Sequence, residues 1–260
     1  MAEAVQGSIQ SVRRALQVLG EFTPNRPQWT VSDLARITGL HKSVVARLLA
    51  TMALDGFVIQ DSASRAYTIG PQAFAIGNVY GPYLILERIA RPIMQGVTGR
   101  CNHACTLGIP VDHQFMYLIV VESPRSAPLR VTIEVGGRRP YHVGAVGKVL
   151  LANMPRDRAC ALLGDGPLQQ QTPFTIVSVD LLLAELDDIR RTGIAISSQE
   201  AVVGVGAVAA AVTNANGACV AGLNIVYPIH LVSEQEIGEL AHLTVAAAGQ
   251  ISQRLGGFTM

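Results

Sequence analysis

The first residues that could do chemistry lie in the stretch HKSVVAR, residues 41–47. One of the chain's two lysines, Lys42, lies where a helix is predicted to begin. A cation is unfavourable there, because the helix dipole places partial positive charge at the N-terminus, and a phosphate would relieve that conflict. Ser43 offers a short donor to a phosphate or a base, and Arg47 can bind guanine through two N–H groups. The alternative is an ordinary solvated helix start, since polar residues are common there.

A second stretch, GGRRPYHVGAVGKVLLANM, covers residues 136–154 and is interpreted as a loop that enters a helix near Gly144. Gly144 and Gly147 leave backbone N–H groups unobstructed in the first helical turn, which predicts a site for a carboxylate or phosphate. Lys148 either adds positive charge to this site or lies on the outside of the helix. The spacing is not that of a P-loop, because Val149 stands where a hydroxyl residue is required. The glycines could instead serve only close packing of the helix on a sheet.

Two cysteines and a histidine alternate in the stretch CNHACT, at Cys101, His103 and Cys105. On a strand they would share one face and either supply three soft ligands for zinc or form part of the core. No C-x-x-C or H-x-x-x-H spacing accompanies them, and no activating partner or oxyanion loop marks a nucleophile. The sequence therefore predicts no metal site, no cofactor and no catalytic residue.

A fourth polar stretch, Ser197 to Glu200, precedes an apolar run at residues 201–212. The carboxylate of Glu200 is expected to be solvated, as acids in such loops usually are. Ser197, Ala207 and Asn224 could line a small cavity if they face the same side of a sheet. The sequence alone does not orient these three side chains.

The order of elements in the first 70 residues predicts a winged helix-turn-helix. Apolar spacing and turn residues predict three helices and two short strands, at Ile9–Phe22, residues 31–38, His41–Leu54, Phe57–Gln60 and Ala66–Ile69. In this motif the second helix enters the DNA major groove, with its N-terminal residues near base edges. Arg65, near the hairpin tip, suits a wing that follows the DNA backbone or minor groove. The residues predicted to bind DNA are His41, Lys42, Ser43, Val44, Arg47 and Arg65.

The helix-turn-helix is expected to end near Gly70, with a linker helix at residues 71–82 and a second domain at residues 83–260. Mixed strands and helices in the second domain predict an α+β fold, a sheet with helices packed on it. Its helices are predicted at Tyr83–Val97, Pro155–Leu163 and Val179–Thr192, and from a capping box at Ser233 and Glu236 to Leu255. Its strands are predicted at Cys101–Ile109, Gln114–Val121, Leu129–Glu134, Ile194–Ser198, Val205–Val212 and Ala218–Val226.

Charge and composition exclude several classes of protein. The net charge is +1, with +2 in residues 1–80 and −1 in residues 81–260, so any basic surface must be local. Four cysteines in a chain of 260 residues do not make a disulfide scaffold. No secretory signal begins the sequence, and the longest apolar run, 12 residues, is too short to span a bilayer. We therefore expect a cytoplasmic protein with reduced thiols.

Six segments together resemble the IclR family of bacterial transcriptional regulators over nearly the whole chain. They are SIQSVRRALQVLGEF, TVSDLARITGLHKSVVARLLATMALDGFV, YTIGPQAFAIG, VESP, HVGAVGKVLLA and GIAISSQEAVVGVGAVAAAV, in the order and at the spacings of that family. The resemblance implies a winged helix-turn-helix joined by a linker helix to a GAF-like effector-binding domain. It also implies a homodimer formed through the N-terminal modules, commonly paired into a tetramer, that binds double-stranded, pseudo-palindromic operator DNA.

The resemblance further implies that a small organic acid binds where the loop at Gly144–Gly147 faces the late strands. Ala145 and Val146 match the loop positions whose backbone N–H groups hold the acid. Where the family often has Asp, Cys and two serines, this sequence has Ser197, Ala207, Asn224 and Val226. These departures favour a roomier, less polar pocket and an aromatic or longer acid. The residues implied to contact the effector are His142, Gly144, Ala145, Val146, Gly147, Ser197, Ala207, Asn224 and Val226.

We therefore expect a ligand-responsive DNA-binding regulator rather than an enzyme. Effector binding would favour one quaternary arrangement and so change the spacing of two recognition helices. Two alternatives remain open. One is a thiol-dependent hydrolase that uses Cys101 or Cys105 with His103 and carries an accessory helix-turn-helix. The other is a winged-helix interaction module that binds no ligand.

Overall fold

The computed structural model describes residues 8–23, 26–77, 79, 81–123 and 133–257. The chain divides into two compact units, Met1–Gly81 and Pro82–Met260. Of the strand predicted at Leu129–Glu134, residues 129–132 lie outside the described residues, as does Pro124 of the VESP segment. The other predicted helices and strands lie wholly or largely within the described residues.

The N-terminal unit is a helix-turn-helix followed by a two-stranded hairpin and a short helix. Its elements are α1 Gln10–Leu19, α2 Val31–Thr38, α3 Lys42–Leu54, β1 Val58–Gln60, β2 Tyr67–Ile69 and α4 Pro71–Gly77. Local chemistry defines both ends of α2. The hydroxyl of Thr30 accepts a hydrogen bond from the Asp33 N–H at 3.2 Å, and Gly39 follows the helix with a φ of +71°.

A single cluster of buried side chains, built around Trp29, holds these elements together. Val45 and Leu49 of α3 are fully buried and Met52 nearly so, as their spacing predicts, whereas Leu48 is half-buried. Each fully buried aliphatic side chain stabilises the fold by about 1.5–3 kcal/mol relative to exposure. The inner face of α3 is therefore firmly anchored, and its outer face is left to solvent.

The first helix keeps part of its apolar surface in solvent. Val18 of α1 is buried in the core, but Ile9, Val12 and Leu16 are exposed by 66%, 52% and 62%. These three residues are spaced by three and four positions, so they lie on one side of the helix. An exposed apolar stripe of this kind is typical of a surface that meets another protein chain.

Within the described residues, the C-terminal unit is a six-stranded antiparallel sheet with helices on both faces. Its strands are β3 Ala104–Val111, β4 Gln114–Val121, β5 Arg138–Pro140, β6 Ile194–Ser198, β7 Val205–Thr213 and β8 Cys219–Pro228. They are ordered β5-β4-β3-β8-β7-β6, so β5 and β6 form the two edges. Its helices are α5 Gly81–Cys101, α6 Gly144–Ala152, α7 Arg156–Leu163, α8 Val179–Thr192 and α9 Glu234–Leu255, with a 3-10 turn at Ile229–Leu231. This arrangement confirms the predicted α+β class.

The two faces of the sheet carry separate cores. α5 and α9 share one core with the sheet, and α6 and α8 share the other. α6 approaches the strands closely because two of the residues beneath it are glycines. A Cβ at Gly108 would lie 2.6 Å from Cγ1 of Val146, and a Cβ at Gly222 would lie 2.9 Å from Cγ1 of Val149. The start of α6 is thereby held against the middle of the sheet.

The main differences from the predicted element boundaries lie around α4, α5 and β5. The linker helix predicted at residues 71–82 is α4, which ends at Gly77. β3 begins at Ala104 because α5 continues through Cys101. Gly81 and Pro82 begin α5 instead of breaking the chain before it, and proline suits the first turn of a helix. The strand β5, Arg138–Pro140, lies in a segment predicted as loop, since three edge residues that end in proline carry little strand signal.

Candidate functional site

The start of α3 is an exposed and positively charged helix end. Its N-cap is His41, whose Nδ1 accepts a hydrogen bond from the Ser43 N–H at 3.3 Å and lies 2.7 Å from the Ser43 hydroxyl oxygen. The side chains of Lys42, Ser43 and Arg47 are exposed, and Val44 is half-buried. The structure therefore brings these five predicted residues together on one surface, with the Ser43 hydroxyl fixed beside the helix start.

Within the described residues, no negative charge neutralises this surface. The first turn of α3 contains no acid, and neither Lys42 nor Arg47 forms an ion pair with any described residue. α2 shows the contrasting case, because Asp33 in its first turn pairs with Arg36 at 3.0 Å and with Arg26 at 3.5 Å. α3 thus presents its positive dipole end and two cations to solvent, where a phosphate backbone would be attracted.

The hairpin of β1 and β2 carries the remaining predicted DNA contact, Arg65. Its turn is held by the carboxylate of Asp61, which accepts hydrogen bonds from the Ser64 N–H at 2.6 Å, the Ser64 hydroxyl at 2.7 Å and the Ala63 N–H at 3.1 Å. These bonds, those from Ser64 above all, lower the pKa of Asp61 below its usual value. Arg65 follows the turn at a φ of 60°, and its side chain is exposed. A hairpin with a well-ordered tip therefore presents this guanidinium.

In the C-terminal unit, a cavity lies between the start of α6 and the sheet. The cavity is narrow, with about 30 Å³ of room for a water-sized molecule inside about 430 Å³ of space between its lining atoms, part of it open to solvent. Seven of the nine residues predicted to contact the effector line it: Gly144, Ala145, Val146, Ser197, Ala207, Asn224 and Val226. Strand register explains the grouping, because Ser197 on β6 pairs with Ala207 on β7, which pairs with Val226 on β8. Three predicted residues thus form one row across the sheet.

His142 and Gly147 do not line this cavity, so the predicted contacts are corrected at these two positions. His142 is 6% exposed, and its Nε2 lies 2.8 Å from the carbonyl oxygen of Gln169. At Gly147 a Cβ would lie 2.0 Å from the carbonyl oxygen of Tyr141. The missing side chain at Gly147 therefore lets the backbone of Tyr141 approach α6 closely. This is a packing role, the alternative that the sequence offered for these glycines.

Lys148 and Glu200 form a buried ion pair behind the cavity. Nζ of Lys148 lies 2.6 Å from Oε1 of Glu200 and 2.6 Å from Oε1 of Glu185, and it donates to the Ile196 carbonyl at 3.0 Å. The Lys148 side chain is fully buried, so both interpretations of it were wrong: it neither adds free charge to the cavity nor lies outside the helix. Glu200 was expected in solvent and is 6% exposed, because it is the partner of this buried cation.

Glu200 also positions the start of α6. Its Oε2 accepts a hydrogen bond from the Gly144 N–H at 3.3 Å, and Gly144 adopts a φ of +82°. Burial raises the pKa of Glu200, and the neighbouring Lys148 ammonium opposes that shift. One N–H of the helix start is therefore satisfied from within the protein. The next N–H groups, of Ala145 and Val146, belong to the first turn, where a helix offers no acceptor of its own.

Tyr117 and Arg139 also line the cavity, and the sequence interpretation missed both. A signal for Tyr117 exists in the alternation of Phe115 and Tyr117 along β4, since residues two apart share a face of a sheet. Arg139 pairs with Phe115 from β5, a strand that the sequence does not reveal. Its place in the cavity therefore follows from tertiary structure alone.

The described residues offer no support for metal or thiol chemistry. They contain no group of three His, Cys, Asp or Glu side chains that could hold a metal ion. Cys101 ends a helix while Cys105 is fully buried on a strand, so the predicted common face with His103 was wrong. Burial raises the pKa of both thiols, which disfavours the nucleophilic thiolate.

No helix among the described residues has the length and apolarity needed to cross a membrane. What the chain does contain is a winged helix-turn-helix with an unneutralised α3 and a separate α+β unit with a lined cavity. That combination defines the class of two-domain transcriptional regulators. Two family models match the chain: the IclR helix-turn-helix domain over residues 11–62, and the bacterial transcriptional regulator IclR C-terminal domain over residues 83–253. The chain therefore belongs to the IclR family of bacterial transcriptional regulators, and the resemblance seen in the sequence is confirmed.

Individual relatives match along nearly the whole chain. It is 29% identical to the HTH-type transcriptional regulator KdgR of Escherichia coli (strain K12) over 249 residues, 96% of this chain and 92% of KdgR. It is 25% identical to the transcriptional repressor IclR of the same strain over 251 residues, again 96% and 92%. A solved IclR homologue from Microbacterium hydrocarbonoxydans, in complex with 4-hydroxybenzoate, shares the fold at a TM-score of 0.83 and 23% identity, covering 96% of this chain and 100% of that one. The curated relatives are named regulators rather than enzymes, and the thiol hydrolase alternative has no support.

Proposed function

We propose that this protein represses transcription by binding operator DNA through α3 and the hairpin, and that a small organic acid in the cavity controls this binding. The observation that carries the proposal is the unneutralised, exposed start of α3 in a chain whose other unit holds a lined cavity. The names of curated relatives, among them the transcriptional repressor IclR and the acetate operon repressor of Salmonella typhimurium, support repression. The proposed contact with chromosomal DNA requires a cytoplasmic protein.

The residues of α3 divide into phosphate and base contacts. Lys42 neutralises a phosphate near the positive end of the helix dipole, and Ser43, whose side chain His41 orients, contacts a neighbouring phosphate. Arg47 lies more than one helical turn further on and reads a guanine, while Val44 packs against a base edge. Arg65, which the hairpin presents, contacts the DNA backbone or lies in the minor groove.

The effector binds with its acid group at the start of α6. The N–H groups of Ala145 and Val146 are the donors that remain in the first turn once Glu200 has taken that of Gly144. Ala207 and Val226 present small or apolar surface to the rest of the molecule, which favours an aromatic or longer acid. The fold accommodates such a compound, since the Microbacterium homologue was solved with 4-hydroxybenzoate.

The functional unit is a homodimer, commonly paired into a tetramer. The exposed stripe of Ile9, Val12 and Leu16 on α1 supports a contact between N-terminal modules, because burying it against a second copy removes apolar surface from water. A dimer presents two copies of α3 to a pseudo-palindromic operator. An effector that binds one quaternary arrangement more tightly shifts the distance between those two helices and so changes DNA affinity.

A pair of variants separates the two proposed sites. Arg47→Ala is expected to weaken operator binding in a gel-shift titration on the DNA that flanks its own coding region, and to keep calorimetric binding of 4-hydroxybenzoate and benzoate. Ala207→Leu, which fills the cavity, is expected to bind that DNA normally and to lose both acids. Tight binding of pyruvate or glyoxylate without binding of aromatic acids would refute the proposed effector class. Unchanged operator binding in both Lys42→Ala and Arg47→Ala would refute the role of α3.

A further inference from the structure

The cavity of the C-terminal unit is lined almost entirely by hydrogen-bond donors and apolar groups. Among the described residues that line it, one side chain is charged, the guanidinium of Arg139, and none is acidic. Ser197 is 4% exposed, and no described residue forms a hydrogen bond with its hydroxyl. A cavity of this composition suits a ligand that is anionic and rich in acceptors.

Arg139 is held on the face of the sheet that carries α6. It pairs with Phe115 across β5 and β4, and Tyr117 follows Phe115 on the same face. The rings of Phe115 and Tyr117 meet edge to face with centroids 5.2 Å apart, which fixes the position of the Tyr117 ring. The preceding residue, Arg138, is exposed and does not line the cavity.

No described carboxylate forms an ion pair with Arg139, and its guanidinium lies near the hydroxyl of Tyr117. Burial raises the pKa of Tyr117 and the nearby guanidinium opposes that shift, so the phenol remains neutral and does not compensate the charge of Arg139. A guanidinium has five N–H donors in a planar fork that matches a carboxylate through two parallel hydrogen bonds. Within the part of the chain that the structure describes, no carboxylate takes up that capacity in Arg139.

The two polar ends of the cavity come from opposite edges of the sheet. Arg139 lies on β5 and Ser197 on β6, which are the two edge strands, yet both line the same cavity. The sheet therefore curls around the ligand space, with Arg139 at one side and Ser197 at the other. The start of α6, where the first acid group is proposed to bind, lies across the cavity from β8, whose Asn224 and Val226 also line it.

We propose that Arg139 binds a second anionic group of the effector, so that the cavity selects an organic diacid over the matching monoacid. This inference rests on the proposed function, in which the first acid group binds at the start of α6. Arg139 is then the residue that determines specificity, and Tyr117 holds its guanidinium in place until the ligand arrives.

The test is calorimetric titration of the full-length chain with two matched pairs of probes, benzoate with terephthalate and hexanoate with adipate. Charge-assisted bidentate pairing predicts that the wild-type chain binds at least one diacid about ten- to a hundredfold more tightly than its monoacid. Arg139→Gln is expected to abolish that preference. Arg138→Gln removes the same charge one residue away on the same strand and is expected to keep it.

Arg139→Lys provides a second readout if the glutamine variant fails to fold, which a thermal scan would show. Lysine keeps the charge but offers no planar fork, so the diacid preference is expected to fall to an intermediate value. Monoacid binding without any diacid preference, or a preference that survives in Arg139→Lys and Arg139→Gln alike, would overturn this inference and leave the proposed function standing. Failure of the wild-type chain to bind any of the four probes would overturn both.

Discussion

The starts of α3 and α6 are alike in sequence and opposite in structure. Each helix carries one of the chain's two lysines near its N-terminus: Lys42 is the first residue of α3, and Lys148 lies just after the first turn of α6. At α3, Lys42 is exposed and no described carboxylate pairs with it. At α6, all nine helical residues are buried, and Lys148 is enclosed by Glu185 and Glu200.

The difference lies in what compensates the positive end of each helix. At α6 the protein supplies the anion itself, since Glu200 contacts both the Gly144 N–H and the Lys148 ammonium. A buried cation without such partners would be strongly unfavourable, whereas an exposed one is stabilised by water. α3 is therefore left able to bind an external polyanion. α6 keeps only backbone N–H groups for a ligand, and its lysine is structural.

The largest effect is expected at the start of α6, where Glu185 and Glu200 neutralise the buried charge of Lys148. Lys148→Met leaves Glu200 and Glu185 without their shared cation, and removal of one partner of a buried pair costs about 3–5 kcal/mol of unfolding free energy. Urea denaturation followed by far-ultraviolet circular dichroism measures this loss. Trp29 is the only tryptophan and belongs to the N-terminal unit, so its fluorescence follows that unit in the same samples.

Arg156→Met is the matched control for that prediction. Arg156 pairs with Asp187 at 3.0 Å, but both side chains are more than half exposed, at 55% and 52%. Exposed ion pairs contribute about 0–1 kcal/mol, so this variant is expected to lie close to the wild type. Equal losses in Lys148→Met and Arg156→Met would show that Lys148 does not have the structural role assigned to it.

The next largest effect is expected at the start of α3, whose cations no described carboxylate neutralises. Arg47→Ala should weaken binding at the preferred operator by about 1–3 kcal/mol and relax the preference for one base pair, if the guanidinium reads guanine. Gel-shift titration on operators that differ at single positions measures both quantities. Arg36→Ala is the control, because it removes an exposed charge from α2 that already pairs with Asp33. An equal loss in the two variants would indicate general attraction to DNA instead of base reading.

Much of the fold could be predicted because its signals are local. The N-cap at Thr30, the capping box at Ser233 and the hairpin turn at Asn214–Gly217 each mark an element through bonds made within four residues. β6 was predicted at its observed bounds, Ile194–Ser198. β5 could not be predicted, because three residues at a sheet edge owe their conformation to pairing with β4.

The residues alone suggested a cavity but did not orient its lining, and the family resemblance supplied the remaining positions. Ser197, Ala207, Asn224 and Val226 lie on three different strands, and no local pattern links them. Glu200 was misjudged for the same reason: its partner, Lys148, is 52 residues away in the sequence. Long-range ion pairing reverses the usual expectation that a loop carboxylate is solvated.

A smaller effect is expected from removing the charge of Lys42, the other exposed cation of α3. Lys42→Ala should weaken binding to all DNA sequences alike and reduce the slope of log K against log salt by about one, as the loss of one phosphate contact predicts. Titrations at several salt concentrations, on operator and on unrelated DNA, measure that slope. Lys42→Arg keeps the charge and should keep the slope. A loss confined to the operator would mean that Lys42 reads a base.

The smallest effect is expected at the hairpin, where the N-terminal unit does compensate its own groups. The hydrogen bonds from Ser64 and Ala63 hold the pKa of Asp61 below its usual value of 3.8. Because the folded state favours the ionised carboxylate, Asp61 stabilises the fold above that usual value, and the contribution is lost as pH falls through the lower folded-state pKa.

Asp61→Asn should therefore lower the urea midpoint followed by Trp29 fluorescence at about pH 6 and have less effect at about pH 3. Asp55→Asn serves as the control, because Asp55 is exposed in the same unit and its carboxylate accepts no hydrogen bond from any described residue. If Asp61→Asn shifts the midpoint equally at both pH values, the turn does not depend on the charge of Asp61. The hairpin would then owe its order to the backbone, whereas the buried start of α6 would remain held by an internal carboxylate.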